Sequence, residues 1–201
     1  MKRDFSDFDA SALVSLKDSA ELLLSGAVGV IPTDTVYGLA ACASDHASVA
    51  RLYSLKHREN KPGTIIAANV EQLKDLGFAQ NSLNSVSRWW PNPISFVLPA
   101  GDKLAYLHLG RESLALRIPD DKHLKQILLA TGPLVTSSAN QPGEPEATNV
   151  AEAWKYFGNS VDFYVDGGDS TDRLASTIVK FHSDGQLELL RQGAIKFDTR
   201  R

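Results

Sequence analysis

Apolar residues recur along this chain in two different periods. Between Ser11 and Leu24, the residues Leu13, Leu16, Ala20 and Leu23 or Leu24 fall at steps of three and four, and Gly26 stops the run. That spacing puts one apolar stripe on one face of a helix. Val28-Gly29-Val30-Ile31 reads instead as a short buried strand closed by Pro32. A second helix is expected from Ala47 to Leu55, with Ser44 or Asp45 as its cap and Val49, Leu52 and Tyr53 turned inward. Strands are expected at Thr64 to Ala68, Ser95 to Leu98, Leu114 to Ile118 and Leu134 to Thr136. Helices are expected at Val70 to Leu76, Leu83 to Trp89, Lys122 to Ala130 and Val150 to Phe157. Toward the end, Phe163 to Val165, Thr177 to Phe181 and Leu187 to Leu190 read as strands, and Asp184-Gly185 turns the last two into a hairpin. Helices alternate with strands while the terminal hairpin demands antiparallel pairing, so the expected class is α/β with a mixed sheet.

Composition narrows this picture. The 201 residues suit a single domain spanning 1–201, with its core from about 8 to 195. Hydrophobic residues make up 43%, enough to build a core. No apolar run approaches the ~20 residues of a membrane-spanning helix. The start, Met1-Lys2-Arg3-Asp4-Phe5, is followed by acids instead of an apolar stretch, so neither a secretory signal nor a membrane location is expected. Cys42 is the only cysteine, which excludes an internal disulfide and a cysteine-based zinc site and fits a reducing, cytoplasmic setting. Net charge is −3, from 21 basic and 24 acidic residues, so the chain lacks the basic surplus of a duplex-gripping protein. A local group of a few cations for a small anionic ligand, such as a nucleotide, remains open.

Neither of the common glycine-rich phosphate loops is present, no serine sits in a nucleophile elbow, and the five histidines show no metal-ligand spacing. No metal-ligating residue is assigned. Two short pairs carry more information. In Lys56-His57-Arg58 the cations stand two apart, so in an extended segment they project together. Such a pair suits an anion with several oxygens, because Arg forks onto oxygens while Lys acts as a point charge. Taken alone, the pair reads first as a solvated basic helix end that offsets the negative helix terminus. In Ser138-Ala139-Asn140 the same step puts a hydroxyl and an amide on one side, just past an apolar strand, where open α/β sheets bind ligands. These residues are also ordinary turn formers. Pro32-Thr33-Asp34-Thr35-Val36-Tyr37-Gly38-Leu39 offers the hydroxyls of Thr33, Thr35 and Tyr37 along one edge, with Thr33 or Asp34 as a possible cap.

Taken in order, Pro32 to Leu39, Lys56-x-Arg58, Ala115-Leu116-Arg117-Ile118-Pro119, Ser138-x-Asn140, Ser176-Thr177-Ile178-Val179 and Leu190-Arg191-Gln192-Gly193-Ala194-Ile195 resemble the threonylcarbamoyl-AMP synthase family, also called TsaC or YrdC-like. The resemblance runs from about Gly26 to Ile195. It implies a YrdC-like twisted mixed sheet with flanking helices and a large concave basic cleft. It implies that Lys56 and Arg58 are catalytic and, with Lys61, hold the ATP phosphates, and that Ser113, Asn140 and Arg191 complete the nucleotide site. Thr35, Arg117, Ser138 and Ser176 would hold threonine, with Arg117 on its carboxylate. The implied reaction is that of a nucleotidyltransferase making threonylcarbamoyl-AMP and pyrophosphate from L-threonine, bicarbonate or CO₂, and ATP. Mg²⁺ would arrive with ATP. The implied partners are the transferase-complex proteins that place the group on adenosine in tRNA, with at most a weak tRNA contact. A different class, an RNA-binding or ribosome-associated factor using the same surface, and a paralogue with another acceptor substrate are the alternatives. The chain departs from the family in the short Glu59-Asn60-Lys61-Pro62-Gly63 approach, in Ala67 and Ala68 where some members carry a substrate-touching histidine, and in Pro142-Gly143 after Asn140. It also ends soon after the last motif, which implies that the further domain of longer relatives is absent.

Overall fold

The computed structural model describes residues 9–57, 61–182 and 184–198. The helical stripe expected from Ser11 to Leu24 is broken in two. A 3₁₀ turn covers Ala10–Ala12, and helix α1 is Leu16–Leu24. Between them Leu13 forms a parallel bridge with Tyr164, and the Val14 N–H donates to the Tyr164 carbonyl at 2.9 Å. Sheet pairing thus wins over helix periodicity for those residues. Ser15 then caps α1 by accepting from the Asp18 N–H at 3.1 Å.

The chain continues through β1 (Gly29–Ile31), β2 (Gly38–Cys42), α2 (His46–Leu55), β3 (Thr64–Ile66), α3 (Val70–Leu76), α4 (Gln80–Val86) and β4 (Ile94–Pro99). It then forms α5 (Ala105–His108), β5 (Ser113–Arg117), α6 (Lys122–Thr131), β6 (Leu134–Ser138), α7 (Val150–Phe157), β7 (Phe163–Tyr164), β8 (Thr177–Phe181) and β9 (Leu187–Arg191). Asp45, one of the two expected caps, starts α2 by accepting from the Ala47 N–H at 3.0 Å. The helix expected at Leu83 to Trp89 starts three residues earlier and turns 3₁₀ at Ser87–Trp89. Strand β2 and the short α5 are absent from the sequence expectations. β2 is Gly-Leu-Ala-Ala-Cys, buried at every position, so it shows no alternation to read.

All nine strands among the described residues join one sheet in the order β7-β1-β2-β6-β3-β5-β4-β8-β9. Three neighbouring pairs are parallel and the other five antiparallel, including the expected β8–β9 hairpin. Register explains what each face becomes. Ala41, Val135, Ile65, Leu116, Phe96 and Val179 are paired neighbour to neighbour across six strands, so their side chains point to one face. All six belong to the main core.

One residue further along each strand the side chains point the opposite way. There the paired row reads Ala40, Thr136, Thr64, Ala115, Val97, Lys180. The next row on that same face is Cys42, Leu134, Ile66 and Arg117. Cys42, Leu134 and Ile66 lie in a second core with Leu23 of α1 and Leu124, Ile127 and Leu128 of α6. Two helices therefore seal one part of this face. Ala40 belongs to that core too, while Thr136, Thr64, Ala115, Val97 and Lys180 stay uncovered, with Arg117 on the boundary.

Candidate functional site

The uncovered part of the face is the floor of a cavity of about 750 Å³. Thr64, Thr136, Ala115, Val97 and Lys180 line it, as the register requires. The turn between β1 and β2 forms one wall with Thr33 and Thr35. Lys61, Pro62 and Gly63 form another, and Ala175, Ser176, Leu190 and Arg191 close the side along β8 and β9. Gly63 has no room for a side chain: a Cβ there would stand 2.7 Å from the Thr136 carbonyl oxygen.

The β1–β2 turn is built from its own hydroxyls. Thr33 Oγ1 donates to the Val36 carbonyl at 2.7 Å and lies 3.0 Å from Thr35 Oγ1, while the Thr35 N–H donates to Thr33 Oγ1. Arg173 reaches across to donate to the Thr33 carbonyl at 2.8 Å. Tyr37 lines the cavity, yet its hydroxyl is committed elsewhere: it donates to the Gly168 carbonyl and accepts from the Gly167 N–H at 2.7 Å. Burial pushes its pKa up to about 12. Of the three hydroxyls expected along this edge, Tyr37's ties the turn to the 166–170 loop instead of facing a ligand.

Neither Thr33 nor Asp34 caps a helix. Asp34 Oδ1 stands 3.0 Å from the NH2 of Arg117, and both side chains are almost wholly buried. Burial raises the Asp34 pKa, with the Arg117 charge pulling the other way, and it lowers that of Arg117 against the pull of Asp34. The pair is close but poorly aligned: both Asp34 oxygens and Arg117 Nε have no hydrogen-bond partner among the described residues. Arg117 therefore enters the cavity wall already steadied from behind, with unused donor capacity.

The chain leaves α2 at Lys56, as the sequence suggests, and His57 adopts a left-handed φ of 47°. Lys56 is 4% exposed and does not line the cavity. Its ammonium donates to the Ser138 carbonyl at 2.9 Å, to the Asn140 Oδ1 at 2.9 Å, and to the Asn140 carbonyl. An ammonium has three donors, so those three oxygens match its capacity. Lys56 thus ties the end of α2 to the Ser138–Asn140 segment, whose Ser138 and Asn140 line the cavity. Arg58 lies outside the described residues. Ser138 Oγ donates to Asn140 Oδ1 at 2.7 Å, so the two-residue step does put both on one side.

At the far wall, Arg191 Nε and NH2 both donate to the Ser176 carbonyl, at 3.0 and 2.8 Å. Ser95 Oγ donates to Ser176 Oγ at 3.0 Å. Beyond Arg191 the chain is folded back by Thr177, whose hydroxyl donates to the Ile195 carbonyl and accepts from the Gly193 N–H. Of the residues singled out in the sequence, Thr35, Lys61, Ser113, Arg117, Ser138, Asn140, Ser176 and Arg191 thus meet around one cavity. Arg111, Lys180 and Glu146 line it as well and were not singled out. Lys180 was read only as part of a strand, and its facing follows from the Val97–Lys180 register. Among the described residues no group of three or more His, Cys, Asp or Glu side chains is placed to hold a metal ion.

The family model Sua5_yciO_yrdC, described as telomere recombination, matches residues 21–193. A putative threonylcarbamoyl-AMP synthase of Mycobacterium leprae is 32% identical over 92% of this chain and 83% of its own length. A threonylcarbamoyl-AMP synthase of Chromohalobacter salexigens is 35% identical over 73% of this chain and 82% of its own. Among solved structures, Pyrococcus abyssi Sua5 complexed with L-threonine superposes with a TM-score of 0.78 at 30% identity. That match covers 89% of this chain and 54% of the other, so the chain spans about half the length of this structural relative. The match over most of the chain, on a mixed sheet whose open face gathers the motif residues, places the protein in the Sua5/YciO/YrdC family.

Proposed function

We propose that the chain is an L-threonylcarbamoyladenylate synthase, a nucleotidyltransferase using ATP, L-threonine and bicarbonate or CO₂. The observation that carries this reading is the convergence of Lys61, Arg111, Arg117, Lys180 and Arg191, from separate stretches of chain, on one cavity also lined by small hydroxyls. Two anionic reactants have to meet there, and cations fixed beforehand lower their repulsion without reorganising. The substrates come from the relatives: their names specify threonylcarbamoyl-AMP, and the P. abyssi protein was crystallised with L-threonine.

The threonine amine attacks CO₂, forming an N–C bond and releasing a proton. A carbamate oxygen then attacks the α-phosphorus, and the bond to the β-phosphate oxygen breaks, expelling pyrophosphate. Arg117, steadied by Asp34, receives the threonine carboxylate, with Thr35, Ser138 and Ser176 supplying hydroxyls. Lys61, Arg58, Ser113, Asn140 and Arg191 hold the nucleotide. Lys56 acts on the Asn140 segment as a positioning residue. Mg²⁺ bound with ATP would supply charge neutralisation on the phosphates. Positioning accounts for most of the rate in such a scheme. No described helix is long and apolar enough to cross a membrane; we place the activity in the cytoplasm, upstream of the transferase-complex proteins that modify tRNA, with any direct tRNA contact weak.

Pyrophosphate release by the purified chain, with each small substrate omitted in turn, tests the reading. Release that needs ATP, threonine and bicarbonate together is expected. Release indifferent to threonine would defeat it.

A further inference from the structure

Five cations line the cavity among the described residues, and Glu146 is the one carboxylate that does. The backbone on both sides of it is anchored. The Asn140 amide donates to the Glu144 carbonyl at 2.6 Å, Tyr156 OH donates to the Pro145 carbonyl at 3.0 Å, and the Ala147 N–H donates to the Ala139 carbonyl at 3.0 Å. Nearby carboxylates are used otherwise: Glu152 accepts from the Thr148 N–H and hydroxyl, and Glu144 is exposed. Glu146 itself lies within electrostatic reach of Arg191. The other strong acceptor nearby, Asn140 Oδ1, already receives Lys56 and Ser138. The cavity is therefore rich in donors for phosphates, with one prepositioned acceptor beside Arg191.

A carboxylate facing the reacting amine would hold it as the unreactive ammonium and would repel the carbamate. A ribose diol has two neutral hydroxyl donors, which a carboxylate accepts well. We propose that Glu146 accepts the 2′- and 3′-hydroxyls of the nucleotide's ribose and makes the site select ribonucleotides over deoxyribonucleotides. This rests on the nucleotide reading above.

Equilibrium dialysis of the full chain with ATP, 2′-deoxy-ATP and 2′,3′-dideoxy-ATP, for wild type and Glu146→Ala, tests it independently of turnover. Wild type should bind ATP tightest and the dideoxy form weakest, with steps of about tenfold, the worth of a hydrogen bond to a charged group. Glu146→Ala should bind all three alike. An unchanged ranking in the variant would overturn the assignment, as would a variant altered only in its threonine or Mg²⁺ requirement. A wild type that ranks the nucleotides but releases no pyrophosphate removes the synthase reading and leaves this one standing. A wild type that binds no nucleotide removes both.

Discussion

Lys56 and Asn140 stand 84 residues apart in the chain, yet the Lys56 ammonium bonds both the Asn140 side-chain oxygen and its backbone carbonyl. The contact joins the end of α2 to the end of β6, and with it two motifs that the sequence shows only as separate short pairs. Lys56→Met should take the ammonium away from the Ser138 and Asn140 oxygens, lowering stability by about 2–4 kcal/mol and abolishing turnover. Urea unfolding checks the first effect. Lys56→Arg should not rescue activity, because a planar fork cannot reach the same three oxygens.

The Arg191 guanidinium places two donors on one carbonyl of Ser176. A lysine cannot reproduce that fork, so Arg191→Lys should reduce kcat/KM for ATP by about 10–100-fold. Steady-state kinetics at saturating threonine measure it, and an unchanged value would detach Arg191 from nucleotide binding.

Gly193 lets the tail pass close behind Ser176. A Cβ there would stand 2.2 Å from the Ala175 carbonyl oxygen and 2.6 Å from Ser176 backbone atoms. Gly193→Ala should cost about 1–3 kcal/mol and raise the KM for ATP by displacing the Arg191–Ser176 contact. Denaturant unfolding combined with kinetics distinguishes these two effects.

Asp34 gives a pH prediction. Burial outweighs the pull of Arg117 and raises its pKa above the ordinary 3.8. The folded chain thus binds that proton more tightly than the unfolded chain does. Its contribution to stability is full below 3.8 and is lost as pH rises through the higher folded value. Measured by urea unfolding across that window, wild type should lose stability relative to Asp34→Asn as pH increases. A constant difference between the two would contradict this.

The strands with alternating patterns were legible from the chain itself. In β5, Leu114 and Leu116 enter the main core while Ser113, Ala115 and Arg117 face the cavity. β2 was not legible, because five buried small and apolar residues carry no period. Site residues grouped in short motifs were found at this level, among them Thr35, Ser138 and Asn140. Those placed by register were not: Lys180 faces the cavity because it pairs with Val97, and nothing local marks it. The partner of Arg117 was invisible for the same reason, since Asp34 lies on another turn and meets it only after folding. The partners of Lys56 were hidden in the same way, since the Ser138 carbonyl of β6 reaches it only after folding.

In the proposed reaction this cavity joins a carbon from bicarbonate, an amino acid and an adenylate. Incubation of the purified chain with ATP, L-threonine and ¹³C-bicarbonate, followed by mass spectrometry of the nucleotide products, tests it most directly. A threonylcarbamoyl-adenylate that carries the label and disappears when threonine is omitted is expected. An unlabelled threonyl-adenylate, or AMP alone from catalytically competent protein, would contradict it.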